Sequence, residues 1–577
     1  MKNHHQANRK MRIIIGLIVF ATVCLILSCI NIYTVDKVNS NPTKNYLNSQ
    51  DKKDMLNVLW VKDEANLSSE NKDLFTNDQL KPSVFGNEIA QMLASVNDNF
   101  TALVQRYPAR YNLLESITKG GLSIRQAYNI GDLMGQDYYN GYAGMKSIGE
   151  LEFPRDYGSH NDFQFGWYFF VGNFKDENNN NVDILVNFLR RALYPPPVAN
   201  RLGLSQDENQ VIEMQLGLSL ADKNLHVQGT SPVISGKTGL LKFKAVPFLM
   251  QMGNNKAEGL SKDKLFPMKI NVYDPEKDLK VSLILEATKP LFLEGDQGKM
   301  PSMYNLGTWY YSVPAISATG TVTYQGDERK ISGKMWMDNQ WTAGVMPAGY
   351  PDNYYIRALA NILNGLKGTI IEPWGWDWLE VQLDDNTEIT LSAMHSVHTK
   401  DLKNTGDNPP PDAQRDVTGK IIKTDGTTEN VSGKLTIKKW LRSKASGAWY
   451  PNGWQVEIPD KNIKFTMTPT VDRQLFQTNN SSEFREGGVI VSGTKDGQAI
   501  GGVGFGEGTG YAGDDYYFSQ KFKLLGIGDN PETRKIFTQP VPGFWLVTQS
   551  LLFYLATLIY ACVIIYLIFY FVFPKKN

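Results

Sequence analysis

Apolar and polar positions divide the chain into regions of different period. Residues 13–35 form an apolar run with no charge before Asp36. Residues 543–573 form a second uncharged run, rich in Leu, Ile, Tyr and Phe. At about 1.5 Å per helical residue, each is long enough to cross ~30 Å of hydrocarbon. Residues 37–80 are polar, rich in Asn, Lys, Asp and Ser, and predict a tether or loose helical stalk. Residues 85–103 place apolar side chains at mixed three- and four-residue spacing, which predicts a helix. Ser123 stands where it would cap another helix opening at Ile124.

After Pro154 the period shortens to two. Residues 163–172, 182–189, 212–218, 268–273 and 281–287 read as strands. A second strand series runs from about Met303 to Leu525. It is punctuated by Gln325-Gly326-Asp327, Asp384-Asp385-Asn386, Thr424-Asp425-Gly426 and Lys495-Asp496-Gly497, which are turn signals. Strands and turns without intervening helices predict antiparallel sheets closed into barrels or sandwiches. The expected fold is therefore mainly β: two tandem antiparallel β-barrels, a small N-terminal helical segment, and a transmembrane helix at each end. The expected boundaries are 1–35 for the first anchor or signal, 36–150 for the tether and helical segment, 151–300 and 301–530 for the barrels, and 536–577 for the last anchor.

Charge places the ends. Lys2, Arg9, Lys10 and Arg12 precede the first run, and Lys575 and Lys576 follow the second. Both clusters predict cytoplasmic termini and an extracytoplasmic middle, periplasmic or on the cell surface. Two other readings of the first run stay open. It has the outline of a cleaved signal peptide, and Ile26-Leu27-Ser28-Cys29 loosely resembles a lipobox with Cys29 as the lipidated residue. The three cysteines, Cys24, Cys29 and Cys562, all lie in the apolar runs. The region between them therefore has neither disulfides nor thiol chemistry. With 59 basic and 59 acidic residues, no net field favours nucleic acid.

Several segments go beyond periodicity. Phe153-Pro154-Arg155-Asp156-Tyr157-Gly158-Ser159-His160 leads into Gly166-Trp167-Tyr168-Phe169-Phe170-Val171-Gly172. Tyr310-Tyr311-Ser312-Val313-Pro314 follows, then Gly333-Lys334-Met335-Trp336-Met337-Asp338-Asn339-Gln340-Trp341. Further on stand Gly375-Trp376-Asp377-Trp378, Tyr450-Pro451-Asn452-Gly453-Trp454, Glu486-Gly487-Gly488-Val489 and Gly504-Phe505-Gly506-Glu507-Gly508-Thr509-Gly510-Tyr511. Their order and spacing, over residues 153–511, resemble the AttH/CrtC family of lipocalin-like proteins, which includes carotenoid 1,2-hydratase. The resemblance implies two lipocalin-like barrels packed together with a ligand cavity. It implies an apolar or amphiphilic, isoprenoid- or lipid-like ligand, with hydratase (lyase) or hydrolase activity as the chemistry. Where the family commonly has Glu-Trp-Trp-Tyr, this chain has Gly166 at the Glu position and Tyr168 at the second Trp. Residues 194–264 look like an insertion.

By the resemblance, Asp338 is the acid that protonates a double bond, and Trp336, Trp341 and one of Tyr310 or Tyr311 line the resulting cation. Aromatic faces stabilise positive charge, and an acid in an apolar cavity has a raised pKa and can donate a proton. Alternation, however, puts Trp336 and Asp338 on one strand face and Trp341 on the other. Asp338 tying a turn, with tryptophans as core, is the competing reading. Trp167, Trp376, Asp377 and Glu507 complete the candidate ligand-binding set. Asp377 faces away from both Trp376 and Trp378. Arg190 is expected to pair with an acid across the barrels.

Other motifs lead nowhere. Ser231 to Thr238 is a P-loop near-miss with Ser for the first Gly and Pro inside it. The Gly502–Gly506 run has no helix after it. His395 and His398 point to opposite faces of a strand, so no metal site and no cofactor is implied. Three function classes remain: an enzyme on a small amphiphile, a lipid-binding or transfer module, and a structural subunit beside a membrane-protein partner such as a transporter.

Reporter fusions test the expected orientation. Fusions at Met1 and Asn577 should both report a cytoplasmic location, and a C-terminal reporter active only outside would overturn it.

Overall fold

The computed structural model describes residues 2–29, 49–75, 113, 123–135, 142–143, 150–194, 196–201, 203–229, 232–300, 308–342, 362, 374–397, 399–478, 483–538 and 543–572. It is mainly β, with one sheet wrapped as a half-barrel and a second closed on itself. The first sheet runs, in hydrogen-bonded order, Leu225–Gly229, Gln210–Leu220, Asn181–Ala192, Phe165–Asp176, Asp327–Thr342, Thr308–Tyr324, Leu279–Ala287, Met268–Asp274, Asn255–Gly259, Leu249–Met252 and Leu241–Lys244. All its ladders are antiparallel. The expected boundary at residue 300 falls inside this sheet. The strands of residues 308–342 complete the first unit, because their register partners are Phe165–Asp176 and Leu279–Ala287. Residues 194–264 are no insertion either, since they supply several strands of the same sheet.

The second unit joins Ile463–Pro469, Trp449–Ile458, Thr428–Arg442, Ala413–Ile422, Glu388–Ser396, Trp374–Leu383, Gln498–Thr509 and Glu483–Lys495, and the last of these pairs back onto the first. Closure removes the free edges of the sheet. One turn from each unit shows why the turn signals were legible. Gln325 and Gly326 have φ of 50° and 81°, and Asp496 and Gly497 have φ of 52° and 77°. Paired positive φ is the backbone of a tight type I′ hairpin, which Gly at the second position accommodates.

The first unit leaves an opening, and an N-terminal segment fills it. Met55, Val58, Leu59 and Leu67 belong to the same core as Phe170, Met214, Ile270 and Met337. The Val58 carbonyl accepts from Asn254 N at 2.8 Å, and Trp60 Nε1 donates to Asn255 Oδ1 at 2.9 Å. Residues 49–67 are thus packed core rather than the expected tether. Asp54, buried, pairs with Arg125 at 2.9 Å. Arg125 lies on the helix Ile124–Gly135, whose start is a reciprocal capping box: Gln126 N donates to Ser123 Oγ at 3.1 Å and Ser123 N to Gln126 Oε1 at 3.0 Å. The helix expected over 85–103 lies outside the described residues.

The two units meet along a seam. Strands of each present alternate side chains outward, and the outward sets interlock: Phe169, Val171, Leu185 and Trp336 from the first unit, Trp378, Ile422, Phe476 and Phe505 from the second. Trp336 and Trp378 pack edge to face at 6.3 Å, and Phe169 meets Trp378 at 5.9 Å. Polar bridges flank the aromatics. A bulge between Val313 and Ile316 takes Pro314 out of the ladder, where its missing N–H costs nothing. Gln382 Nε2 then donates to Pro314 O at 3.1 Å and to Met335 O at 3.0 Å. Asn173 Nδ2 reaches Gly504 O at 3.2 Å.

Two helices, Lys2–Cys29 and Gly543–Val572, contain stretches long and apolar enough to cross a membrane, Met11–Ser28 and Val547–Phe569. Large side chains on both are exposed, among them Ile13, Phe20, Leu558 and Phe569. The helices lie against each other through Ala21, Cys24 and Ala556, and Thr22 Oγ1 hydrogen-bonds Tyr560 OH at 2.7 Å.

Replacing Gln382 with Leu removes both bonds to the first unit. We expect a loss of about 1–3 kcal/mol, read as a lower denaturation midpoint of the detergent-solubilised chain by tryptophan fluorescence. An unchanged midpoint would show that these bridges do not hold the seam.

Candidate functional site

The strand Thr308–Tyr324 separates its side chains by alternation. Trp309, Tyr311 and Val313 enter the first core, while Tyr310 and Ser312 face the seam. Ladder register sets Ser312 opposite Asp338 on one side and opposite Phe292 on the other. Phe292 begins the short strand Phe292–Leu293, and the next residue, Glu294, donates its N–H to Tyr310 O at 3.1 Å. Two carboxyls thus converge on one serine.

Asp338 is buried and receives three bonds: from Tyr310 OH at 2.6 Å, from Trp336 Nε1 at 2.7 Å and from Ser312 Oγ. Ser312 Oγ also lies 3.3 Å from Glu294 Oε1. A hydroxyl has one hydrogen and cannot donate to both acids. The geometry is satisfied when Glu294 carries a proton and donates to Ser312, which donates to Asp338. Electrostatics agree. Burial pushes Asp338 up to about 6, held back by the donors Ser312, Tyr310 and Trp336. Burial and then the Asp338 charge push Glu294 up to about 8, held back by Lys420, Ser312 and Thr390. Near neutral pH the pair is one ionised carboxylate and one carboxylic acid.

Glu294 stands at the wall of a cavity of ≈ 1090 Å³ between the two units. Glu294, Tyr310, Phe292 and Trp378 line it, with Thr390 and Lys420 on the barrel side. Asp338 and Trp336 sit behind Tyr310 and Ser312, one layer from this lining. Phe292, which lines the cavity, packs against Trp336 behind it at 5.8 Å. The site holds, in one place, a proton donor, a charged partner that sustains its protonation, and faces suited to a cationic centre.

A family model described as AttH-like matches residues 145–351 and 371–511. The chain belongs to the AttH-like family. Among solved structures, the fold is similar to a putative AttH of Nitrosomonas europaea, at 20% identity and TM-score 0.47, covering 64% of this chain and 99% of that one. It is also similar to kievitone hydratase of Nectria haematococca, at 15% identity and TM-score 0.43, covering 64% and 95%. No curated protein matches the sequence.

The structure divides the residues singled out by the family resemblance. Tyr310, Trp336 and Asp338 come together. Trp341 and Tyr311 do not join them: both enter the first core, where Trp341 stacks on His160 at 3.8 Å and lies 6.2 Å from Tyr311. Odd and even positions of one strand cannot share a face, and no bulge intervenes after Asp338. The Phe153 to His160 motif therefore closes the half-barrel core rather than building the site. Trp167 and Trp376 are half-buried at the seam. Asp377 lies inside the second barrel, accepting from Tyr511 OH at 2.9 Å and paired with Arg415 at 3.1 Å; burial raises it to about 6 against the Arg415 charge. Arg190 bonds Phe163 O and Gln210 Oε1 within its own unit, not an acid across the barrels. Glu507 faces the seam beside Glu486, its register partner, and loss of solvent raises its carboxyl against bonds from Thr509 and Trp376.

Glu294, Glu380 and Glu486 escaped the sequence reading. Glu380 shares the parity of Trp376 and Trp378, so alternation could have placed it on the seam. Both oxygens of buried Glu486 lack a hydrogen-bond partner, and desolvation raises it well above the usual range. Glu294 follows a two-residue strand and gives no periodic signal. Among the described residues, no group of three or more His, Cys, Asp or Glu is placed to hold a metal ion.

Acids whose pKa rises on folding stabilise the fold at low pH and destabilise it as pH climbs. For Glu294 the window runs from about 4.5 to about 8, because over that range the folded chain binds the extra proton. Glu294→Gln should therefore gain stability relative to the native chain between pH 5 and pH 9. Thermal midpoints at the two pH values check this, and a constant difference would contradict it.

Proposed function

We propose that the seam cavity is an acid–base site that adds water to a double bond of an amphiphilic small molecule. The observation that carries this reading is the Glu294–Ser312–Asp338 chain at the cavity wall. Glu294 gives its proton to one alkene carbon. The neighbouring carbon becomes cationic beside Tyr310, Phe292 and Trp378. Water bonds to it through oxygen, and the proton that water releases returns to the Glu294 carboxylate. The net change is alkene plus water to alcohol. Asp338 is a positioning residue. Its charge keeps Glu294 protonated, and it fixes Ser312, Tyr310 and Trp336 by their bonds.

In this reading the two apolar helices anchor the chain in a bilayer, with both termini cytoplasmic and the barrels outside. That placement suits a ligand drawn from the membrane. Binding without turnover uses the same cavity, and so does a role beside a membrane-protein partner.

Variants separate these. The ligand first has to be identified by mass spectrometry of small molecules co-purifying with the solubilised Glu294→Gln chain. Glu294→Gln should still bind it but form the product, heavier by one water, at least about 10²-fold more slowly. Asp338→Asn should move the alkaline limb of the pH–rate profile to lower pH, because removing the neighbouring charge lowers the Glu294 pKa. Native protein that binds the molecule without ever changing its mass would exclude the enzyme reading.

A further inference from the structure

The barrel wall of the cavity carries a cation that nothing in the proposed chemistry uses. Lys420 is 9% exposed and lines the cavity. Among the described residues its ammonium has neither an ion pair nor a hydrogen bond. The other cavity lysine, Lys461, is paired with Glu429. Glu294, the acid whose field Lys420 feels, is the protonated member of its pair near neutral pH. Asp296 and Asp460 also line the cavity, and among the described residues neither is paired with Lys420.

The surroundings of Lys420 are polar by construction. It lies on Ala413–Ile422, in register with Thr390 on one side and Asn430 on the other. Ser392, Thr418 and Ser432 extend the same wall. These are the outward-facing positions of three adjacent strands, whose inward positions Leu391, Val417 and Val431 fill the barrel core. The facing wall mixes the apolar Leu291, Phe292, Leu293 and Met300 with Glu294, Asp296 and Gln297. The Lys420 side chain is buried but its ammonium is not among the buried atoms left without a partner, so it opens onto the cavity. An apolar occupant would strip solvent from that ammonium, which is costly unless the occupant brings a counter-charge to it among these hydroxyl and amide groups.

We propose that Lys420 is an anion-binding point that takes the carboxylate, enolate or phenolate of an amphiphile whose apolar part lies against Phe292, Leu293 and Trp378. This rests on the seam cavity being the ligand site. It also narrows the ligand class. A pure hydrocarbon would leave the ammonium buried without a partner, so the substrate carries an acidic oxygen at one end and the reacting double bond at the other.

Matched probes test it. 2-Naphthoate and 2-naphthamide share an apolar body and differ in charge. Their affinities for the detergent-solubilised full chain are measured by equilibrium dialysis, with detergent alone as the blank. The native chain should bind the carboxylate about tenfold or more tightly than the amide, a difference of ~1.4 kcal/mol. Lys420→Met should abolish the preference with amide binding unchanged, and Lys420→Arg should retain it. The thermal midpoint of ligand-free Lys420→Met should match the native one, since among the described residues the ammonium makes neither an ion pair nor a hydrogen bond within the chain. Equal affinities in the native chain, or a preference that survives Lys420→Met, would overturn the anion point and leave the cavity reading standing. A lowered midpoint in Lys420→Met and Lys420→Gln alike would overturn it too, by making the lysine structural. Binding of neither probe to the native chain would overturn the cavity reading and the anion point together.

Discussion

The edge-to-face packing of Trp336 on Trp378 is the contact on which the rest of the arrangement depends. Each ring belongs to the outward face of its own sheet, so neither unit buries it alone. Bringing the sheets together desolvates a whole layer of outward side chains. Most of that layer is aromatic, but it also contains Asp338, Glu380, Glu486 and Glu507. The same burial that drives association therefore strips water from four acids. Their raised pKa values are a consequence of how the units are held together.

That consequence can be used or merely tolerated, and hydrogen bonding decides which. Glu486 has no partner for either oxygen and sits as a neutral acid in the seam. Asp338 collects three donors, which keep its charge affordable in a dry site. Glu294 lies between these cases. One shared serine links it to the ionised Asp338, and one face is turned to the cavity. Like charges so close cannot both ionise, so the pair holds a proton to higher pH than either acid would alone. Lys420 lines the same cavity from the second barrel.

The parts outside the barrels serve the same layout. Residues 49–67 close the open side of the first unit, and the helix Gly513–Leu525 packs near Ile124–Gly135 through Lys521 and Asn129, 2.7 Å apart. Residues 49–67 are thus fixed to the first unit, and Gly513–Leu525 to Ile124–Gly135. The two apolar helices touch each other at Thr22 and Tyr560.

Local physics wrote much of this in the sequence. Period-two patterning gave the strands near Phe165, Asn181, Met268 and Leu279, and the Gly-containing turns at 325–326 and 496–497 followed from the need for positive φ. Alternation alone separated Trp336 and Asp338 from Trp341, and Asp377 from Trp376. Two apolar runs free of charge announced themselves by length. The sequence could not say that 308–342 pair with the first sheet, that 49–67 are core, or that Glu294 meets Asp338. Those facts depend on ladders and contacts between residues far apart in the chain. A strand's pattern specifies which face is buried, but not against what. Glu294 and Asp338 are brought together by register, and their proton affinities are set by water that only the closed seam excludes.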